Sequence, residues 1–142
     1  MLFRSMLLNG ANLKAGDIAA IEVIAPDKPV HLHVAYIQAD GTVAHLVQSD
    51  AFNLKTYDGR EALRFGDGKD GRALFRVSEP FGREMVLVLA SRAPLFPEPR
   101  PQKETERAFL TALRKALLWK PEEGAAEREV SAAFTPLETR KE

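Results

Sequence analysis

The sequence contains no cysteine. This absence excludes disulfide bonds, thiolate nucleophiles and zinc sites with cysteine ligands. It fits a reducing cytoplasm, and it also fits a periplasmic domain that is stable without disulfides. The compartment is therefore unknown from the sequence; we favour the cytoplasm and keep the periplasm as the alternative.

The sequence also lacks an excess of charge of either sign, because 20 Lys and Arg residues balance 20 Asp and Glu residues. A neutral chain without a basic run produces no long-range field that would collect nucleic acid, so we expect no nucleic-acid partner. No window approaches the roughly 18 consecutive apolar residues of a membrane-spanning helix. We therefore expect no membrane insertion.

The sequence motifs of common catalytic sites are missing as well. There is no G-x-S-x-G elbow, no H-E-x-x-H zinc motif, and no glycine-rich loop of the nucleotide-binding kinds. We therefore predict a protein that is not an enzyme, with no catalytic residue, no cofactor and no resident metal.

What the sequence does contain is a series of short strand patterns over 142 residues, a length typical of one domain. We predict a leader or linker over residues 1–15, a single domain over residues 16–135, and a flexible tail over residues 136–142. Short strands separated by turn residues are typical of an all-β sandwich. The predicted fold is mostly β, an immunoglobulin-like antiparallel β-sandwich with one C-terminal α-helix.

Alternation of apolar residues and turn signals place the strands. The pattern "VHLHVAYI" puts Leu32, Val34 and Tyr36 on one strand face, and Asp40-Gly41 predicts a hairpin turn after it. The run over Met85–Ala90 is too apolar to face water and predicts a central strand. The other strands are expected within residues 18–24, 43–47, 62–65, 73–77 and 128–137.

A change of character follows the central strand. The segment "RAPLFPEPRPQ" contains four prolines and predicts an extended connection without regular structure. After it, an apolar stripe at helical spacing predicts a helix at about residues 103–119, which Pro121 would end. The stripe consists of Phe109, Ala112, Leu113, Ala116 and Leu117.

The candidate binding residues include two histidines on one strand face. His31 and His33 are expected on a solvated face, where they could contact a partner or bind a metal. The position of His45 depends on the hairpin: a two-residue loop places it on the face opposite these histidines, and a three-residue loop places it on the same face. The acidic turns at Asp67 and Asp70 do not match a calcium-loop pattern and are expected to serve as turns or as contact residues.

A corner before the central strand supplies the remaining candidates. Pro80, Phe81 and Gly82 are predicted to redirect the chain, with Phe81 filling one end of the sandwich. Arg83 could bind the carboxylate of a partner, but we favour a structural role for both Arg83 and Glu84 in closing the corner.

Several of these motifs together resemble a family. The stretches "GDIAAIEVIAPDKPVHLHVAYIQADGTVAHLVQS" and "EPFGREMVLVLASRAPLF", over roughly residues 16–97, are similar to bacterial domain-of-unknown-function family 4384. The resemblance implies a non-catalytic β-sandwich that is attached to, or works beside, a caspase-like peptidase or a serine/threonine kinase. It carries no catalytic residue with it.

The leading functional hypothesis is an accessory domain that binds a protein or peptide and regulates or targets such a catalytic partner. Its expected contact surfaces are the loops over residues 50–60 and 67–72, the face that bears His31 and His33, and an exposed edge strand. One alternative is a small metal- or ligand-binding protein that uses the two histidines and the acidic loops. Another is a self-assembling structural subunit.

Overall fold

The computed structural model describes residues 3–71, 74–119 and 129–142, and it confirms a mostly β, sandwich-like fold with one helix. Within these ranges the elements are β1 (Arg4–Leu7), β2 (Asn12–Lys14), β3 (Ile21–Ile24), β4 (His31–Ile37), β5 (Thr42–Val47), β6 (Ala62–Phe65), β7 (Gly82–Ser91), β8 (Lys103–Thr105), α1 (Glu106–Leu118) and β9 (Ser131–Arg140).

The strands form two sheets. A small sheet has the order β1-β3-β6, and a large sheet has the order β2-β9-β7-β4-β5-β8. The pairs are antiparallel, as predicted for the sandwich, except for β2 and β9 at one edge, which are parallel. The large sheet is the middle layer, because the small sheet covers one of its faces (the small-sheet face) and α1 with the proline-rich segment covers the other (the helix face).

The central position of β4 and β7 follows from their sequences. Alternate residues of β4 point to the two faces: Leu32 and Val34 pack against the small sheet, whereas Ala35 packs beneath α1. The opposing residues of β7 divide in the same way, so β7 is apolar on both faces over Met85–Ala90, whereas the helix face of β4 also carries His31 and His33. The prediction of a buried central strand over Met85–Ala90 is confirmed.

The Asp40-Gly41 hairpin is also confirmed, and it has a three-residue loop. Gln38 and Thr42 close the loop by a backbone hydrogen bond of 2.8 Å, and Gly41 has a φ of 85°, the left-handed conformation that glycine adopts at little cost. Ala35 consequently pairs with His45, and a register shift between Val34 and Ala35 produces a bulge in β5. This loop length places His45 on the helix face.

The helix is shorter than predicted. Lys103–Thr105 pairs as β8 with β5, and α1 begins at Glu106, where the hydroxyl of Thr105 accepts a hydrogen bond from the backbone N–H of Ala108 at 3.1 Å. Within the predicted stripe, Phe109 and Ala116 are buried, whereas Leu117 is half exposed. Pro121, the predicted stop signal, lies outside the described residues.

Other segments differ from the predictions at their ends. The predicted leader contains β1 and β2, because Arg4–Leu7 pairs with β3 and Asn12–Lys14 pairs with β9. The predicted tail overlaps β9, which continues to Arg140. Of the strand expected over residues 73–77, the described part forms bridges from Leu74 and Arg76 but no extended strand, and Ala73 lies outside the described residues.

The short run after β6 depends on Gly66. This glycine has a φ of 83°, and a Cβ atom at this position would lie 2.5 Å from the carbonyl oxygen of Ala19. The close approach allows the carbonyl oxygen of Gly66 to accept the backbone N–H of Phe75 at 2.8 Å. Phe75 thereby lies beside Gly66, and its own carbonyl oxygen accepts the backbone N–H of Ala19 at 2.8 Å.

Candidate functional site

A cleft of about 350 Å³ opens where the small sheet ends and the larger sheet continues beneath it. Its floor is the small-sheet face of β4 and β5, with Tyr36, Ala44 and Leu46. Its wall is the segment 74–80, and Gln102 and Lys103 lie at its rim. The cleft exists because a three-stranded sheet lies over a six-stranded one and leaves part of the wider sheet uncovered.

The wall of this cleft presents main-chain hydrogen-bonding groups that have no partner in the small sheet. Arg76 pairs with Ile18, and the hydrogen bonds around this pair run from Ala19 N–H to Phe75 O (2.8 Å) and from Val77 N–H to Asp17 O (2.8 Å). Arg76 and Ile18 therefore form a non-hydrogen-bonded pair, in which the N–H and C=O of each residue point away from the other strand. The main chain of Arg76 is an open sheet edge beside the cleft.

A buried carboxylate lies at one end of the cleft. Glu84, at the start of β7, is only 8% exposed. Its Oε1 accepts a hydrogen bond of 2.6 Å from the hydroxyl of Tyr36, and its Oε2 accepts one of 2.9 Å from the backbone N–H of Ala39. Burial, together with the hydrogen bond to Glu84, raises the pKa of Tyr36 above its usual value. Tyr36 is therefore a neutral donor at physiological pH.

The residues next to Glu84 in the corner are Phe81, Gly82 and Arg83, and Arg83 differs from its expected role. Phe81 is partly buried and packs against the core between the two sheets, and Gly82, which follows it and Pro80, begins β7. The side chain of Arg83 is 93% exposed and lies 3.7 Å from Glu138. The structural role expected for Arg83 is at odds with this position, because side chains alternate along a strand and Glu84 is the one that points inward.

On the helix face, two histidines form a buried hydrogen-bonded chain. His33 is fully buried and its Nε2 lies 2.9 Å from Nδ1 of His45. The backbone N–H of Ser49 donates to Nδ1 of His33 at 3.1 Å, so the proton of neutral His33 is on Nε2 and is donated to His45. His45 in turn donates its Nε2 proton to Oε2 of Glu104 at 2.6 Å.

Arg100 completes this chain from the proline-rich segment. Its guanidinium group donates to both carboxylate oxygens of Glu104, with an Nε–Oε2 distance of 3.0 Å, and its backbone bonds the side-chain amide of Gln48 in both directions. Phe96 and Phe109 pack their rings around His33, with centroids 5.0 and 6.1 Å away. We call His33, His45, Glu104 and Arg100 the histidine chain.

The electrostatics of the histidine chain keep both imidazoles neutral. Desolvation, helped by the nearby His45 and Arg100, lowers the pKa of His33 to about 3. Desolvation also lowers the pKa of His45, although its hydrogen bond to Glu104 opposes the change. Burial acts to raise the pKa of Glu104, but the hydrogen bonds from Arg100 and His45 outweigh it and hold this pKa below its usual value.

The prediction that His31 and His33 lie on a solvated face is wrong. His31 is 8% exposed, and its Nδ1 is the buried side-chain atom without a hydrogen-bond partner among the described residues. Burial lowers the pKa of His31 as well. No local pattern indicated that α1 and the proline-rich segment would cover this face. Because both histidines are buried, they are not a contact surface.

The acidic residues considered beside them lie elsewhere. Asp67 accepts a hydrogen bond from the backbone N–H of Lys69 (3.1 Å) and pairs with Leu74, and Asp70 has a φ of 51° in the same turn region. Arg72, at the end of this predicted contact loop, lies outside the described residues. Within the part of the chain that the structure describes, no group of three or more histidine and acidic side chains has an arrangement that could hold a metal ion. Both ring nitrogens of His33 are engaged in hydrogen bonds, which is at odds with the metal-site alternative.

Sequence reasoning missed Glu104, Arg100 and the cleft. Glu104 lies within the segment predicted as the start of the helix, but it belongs to β8 and binds His45, which is 59 residues away in sequence. A signal for the cleft was present in the difference between Tyr36 and its aliphatic neighbours on the same face, because a tyrosine hydroxyl in a sandwich interior requires a polar partner.

Comparison with known proteins identifies the class. A family model described as "Domain of unknown function (DUF4384)" matches residues 13–94, which is more than half of the chain. The chain therefore belongs to this family, as the sequence motifs predicted. No curated protein and no solved structure matches it. Among the described residues, no helix is long and apolar enough to cross a membrane.

Proposed function

We propose that this domain is a non-catalytic accessory module that binds an extended protein or peptide segment in the cleft beside residues 74–80. The bound segment adds to the open edge at Arg76 as a fourth strand of the small sheet. The observation that carries this proposal is the main chain of Arg76, which has no hydrogen-bond partner among the described residues and borders a cleft over an uncovered sheet face.

The dimensions and chemistry of the cleft support this mode of binding. A volume of about 350 Å³ accommodates a few side chains rather than a whole protein domain. Tyr36, Ala44 and Leu46 offer a partly apolar floor to the alternate side chains that point inward, and the edge offers main-chain hydrogen bonds. Affinity would come from the main chain and specificity from the floor.

The partner class comes from the family resemblance. The resemblance described from the sequence motifs implies a caspase-like peptidase or a serine/threonine kinase as the partner, and a module that binds an extended segment suits the regulation or targeting of such an enzyme. The segment would belong to a covalently attached or separate catalytic partner, or to a substrate that the module delivers.

The first test uses a phage-displayed library of random linear 12-residue peptides panned against the purified protein. Selected peptides are synthesised, and their affinities are measured by isothermal titration calorimetry. Native-state amide hydrogen exchange then locates the bound segment. We expect new protection at residues 74–78, because the N–H of Arg76 gains a hydrogen-bond partner.

Matched variants separate edge pairing from other contacts. Arg76→Pro removes the outward N–H but no hydrogen bond of the small sheet, and it should weaken peptide binding about tenfold or more. Arg76→Ala keeps the N–H and should change the affinity less than about threefold.

A second pair of variants tests the cleft itself. Ala44→Trp should block binding by filling the cleft, whereas Ala132→Trp, which changes an exposed residue on β9, is the control. If the selected peptides bound Ala44→Trp and Arg76→Pro as tightly as the unmodified protein, the proposal would be contradicted.

A further inference from the structure

The cleft contains a charge that its surroundings do not neutralise. The Glu84 carboxylate is buried, and its two hydrogen bonds come from neutral donors, the hydroxyl of Tyr36 and the backbone N–H of Ala39. Among the described residues, the ion pairs within 4.0 Å do not include Glu84. A buried carboxylate is ordinarily paired with a cation, because two neutral hydrogen bonds offset only part of the cost of desolvation.

The basic residues of the cleft are directed elsewhere. Arg76 donates from its guanidinium group to the carbonyl oxygen of Gly16 at 3.2 Å, and Lys103 lies at the rim. Glu79, the second carboxylate of the lining, is exposed on the wall and can be hydrated there. Among the lining residues that the structure describes, Glu84 is therefore the one desolvated charge.

The remaining hydrogen-bonding capacity of Glu84 is considerable. An ionised carboxylate accepts about four hydrogen bonds, and Tyr36 and Ala39 supply one to each oxygen. The hydroxyl of Tyr36 also fixes the carboxylate in one orientation at the floor. An ammonium or guanidinium group that enters the cleft would find a preorganised acceptor in a poorly hydrated place, where charge pairing is strongest.

We propose that the segment bound in the cleft carries a Lys or Arg side chain that pairs with Glu84, so the ligand class is an extended peptide with a basic residue among its inward-facing positions. This inference rests on the proposed function and specifies which peptide sequences the cleft binds. The edge at Arg76 recognises any extended main chain, whereas Glu84 selects among sequences by charge.

The test uses peptides selected from the 12-residue library on the unmodified protein. We expect one Lys or Arg to recur at a fixed position among the peptides whose binding Arg76→Pro weakens. Replacing this Lys by norleucine removes the charge and keeps the methylene stem, and it should weaken binding about thirtyfold or more, the effect of truncating one partner of a buried charge pair. The protein is unchanged in this measurement, so no variant has to fold.

The reciprocal change assigns the partner. In Glu84→Gln the Lys and norleucine peptides should bind within about threefold of each other, whereas in Glu79→Gln the thirtyfold difference should persist. Circular dichroism checks that Glu84→Gln keeps its structure. Spermidine supplies the same ammonium chemistry without a peptide backbone, and it should not displace the peptide at equal concentration.

The outcomes distinguish this inference from the proposed function. Edge-dependent peptides without a recurring basic residue, or with no effect of norleucine, would overturn the inference and leave the strand-addition proposal intact. Displacement by spermidine at equal concentration would show a polyamine site and overturn the peptide assignment. Failure to select any peptide that depends on Arg76 and Ala44 would overturn both proposals.

Discussion

The two faces of the large sheet carry polar groups in opposite states. On the helix face, each member of the histidine chain is bonded to the next, and both imidazoles are buried. On the small-sheet face, Glu84 keeps unused acceptor capacity and borders a cleft that the small sheet does not cover. Buried polar groups that satisfy one another hold structure together, whereas buried polar groups with capacity left beside an opening suit a ligand.

The difference follows from how each face is covered. The proline-rich segment forms no regular strand, and it is attached by main-chain hydrogen bonds of Phe96 with Ser49 and Ala51 and by the bonds between Arg100 and the amide of Gln48. The small sheet attaches mainly by apolar packing, and with three strands it is too narrow for the sheet beneath it. Under the proposed function, the helix face contributes stability and the small-sheet face binds the extended segment.

Removal of Glu104 should have the largest effect on stability. Glu104→Ala leaves the guanidinium of Arg100 and the Nε2 proton of His45 without their acceptor, and loss of one partner from a buried pair costs about 3 kcal/mol. Urea unfolding measures the change. Asp27→Ala is the control, because Asp27 pairs with Arg60 on the surface, where both side chains are 71% exposed, and its loss should be barely detectable. Equal effects of the two substitutions would contradict the structural role of the histidine chain.

The second largest effect should be that of acidification, which lowers the free energy of unfolding through the helix face. His33 has a folded-state pKa of about 3, well below the 6.5 of an unfolded histidine. The unfolded chain therefore binds more protons than the folded chain between these values, and stability is complete above about pH 6.5 and falls as the pH decreases. For His33 alone we expect a loss of about 2 kcal/mol between pH 7 and pH 5, measured by urea unfolding.

A variant assigns this pH dependence. His33→Gln lowers stability at every pH but should flatten the profile between pH 7 and pH 5, since one titrating group has been removed. His45 and His31, whose pKa values are also lowered, contribute in the same direction and remain. A profile with the same slope in His33→Gln as in the unmodified protein would show that His33 is not the group responsible.

Local patterns predicted much of this fold. Alternation identified β4, Asp40-Gly41 identified the hairpin, and an apolar run identified β7, because each of these signals lies within one short segment. Composition also located the irregular proline-rich segment. The family was recognised from the same segments in their order along the chain.

The candidate sites could not be predicted in the same way, because they depend on contacts between distant segments. His45 contacts His33 because the hairpin loop has three residues rather than two, and the sequence did not distinguish these loop lengths. The partner of His45, Glu104, comes from a strand only three residues long that has no pattern of its own. The burial of His31 and His33 was set by elements that follow them by more than 60 residues.

The smallest effect on stability is expected for substitution of Arg83, in contrast to substitution of its neighbour Glu84. Both faces of β7 are apolar, so the sequence could not show which of Arg83 and Glu84 points inward. The structure places the Arg83 side chain 93% in solvent, near Glu138 at 3.7 Å, an arrangement that contributes little to stability. Glu84→Ala, by contrast, leaves the hydroxyl of Tyr36 and the N–H of Ala39 without an acceptor and should cost about 2 kcal/mol.

Thermal or urea unfolding of Arg83→Ala and Glu84→Ala measures this contrast directly. We expect Arg83→Ala to unfold within about 0.5 kcal/mol of the unmodified protein. Tyr36→Phe removes one of the two hydrogen bonds of Glu84 and should fall between the two variants, at about 1 kcal/mol. If Arg83→Ala were the more destabilising variant, the inward carboxylate would not be the group that closes the corner, and the acceptor proposed for a basic side chain would lose its fixed orientation.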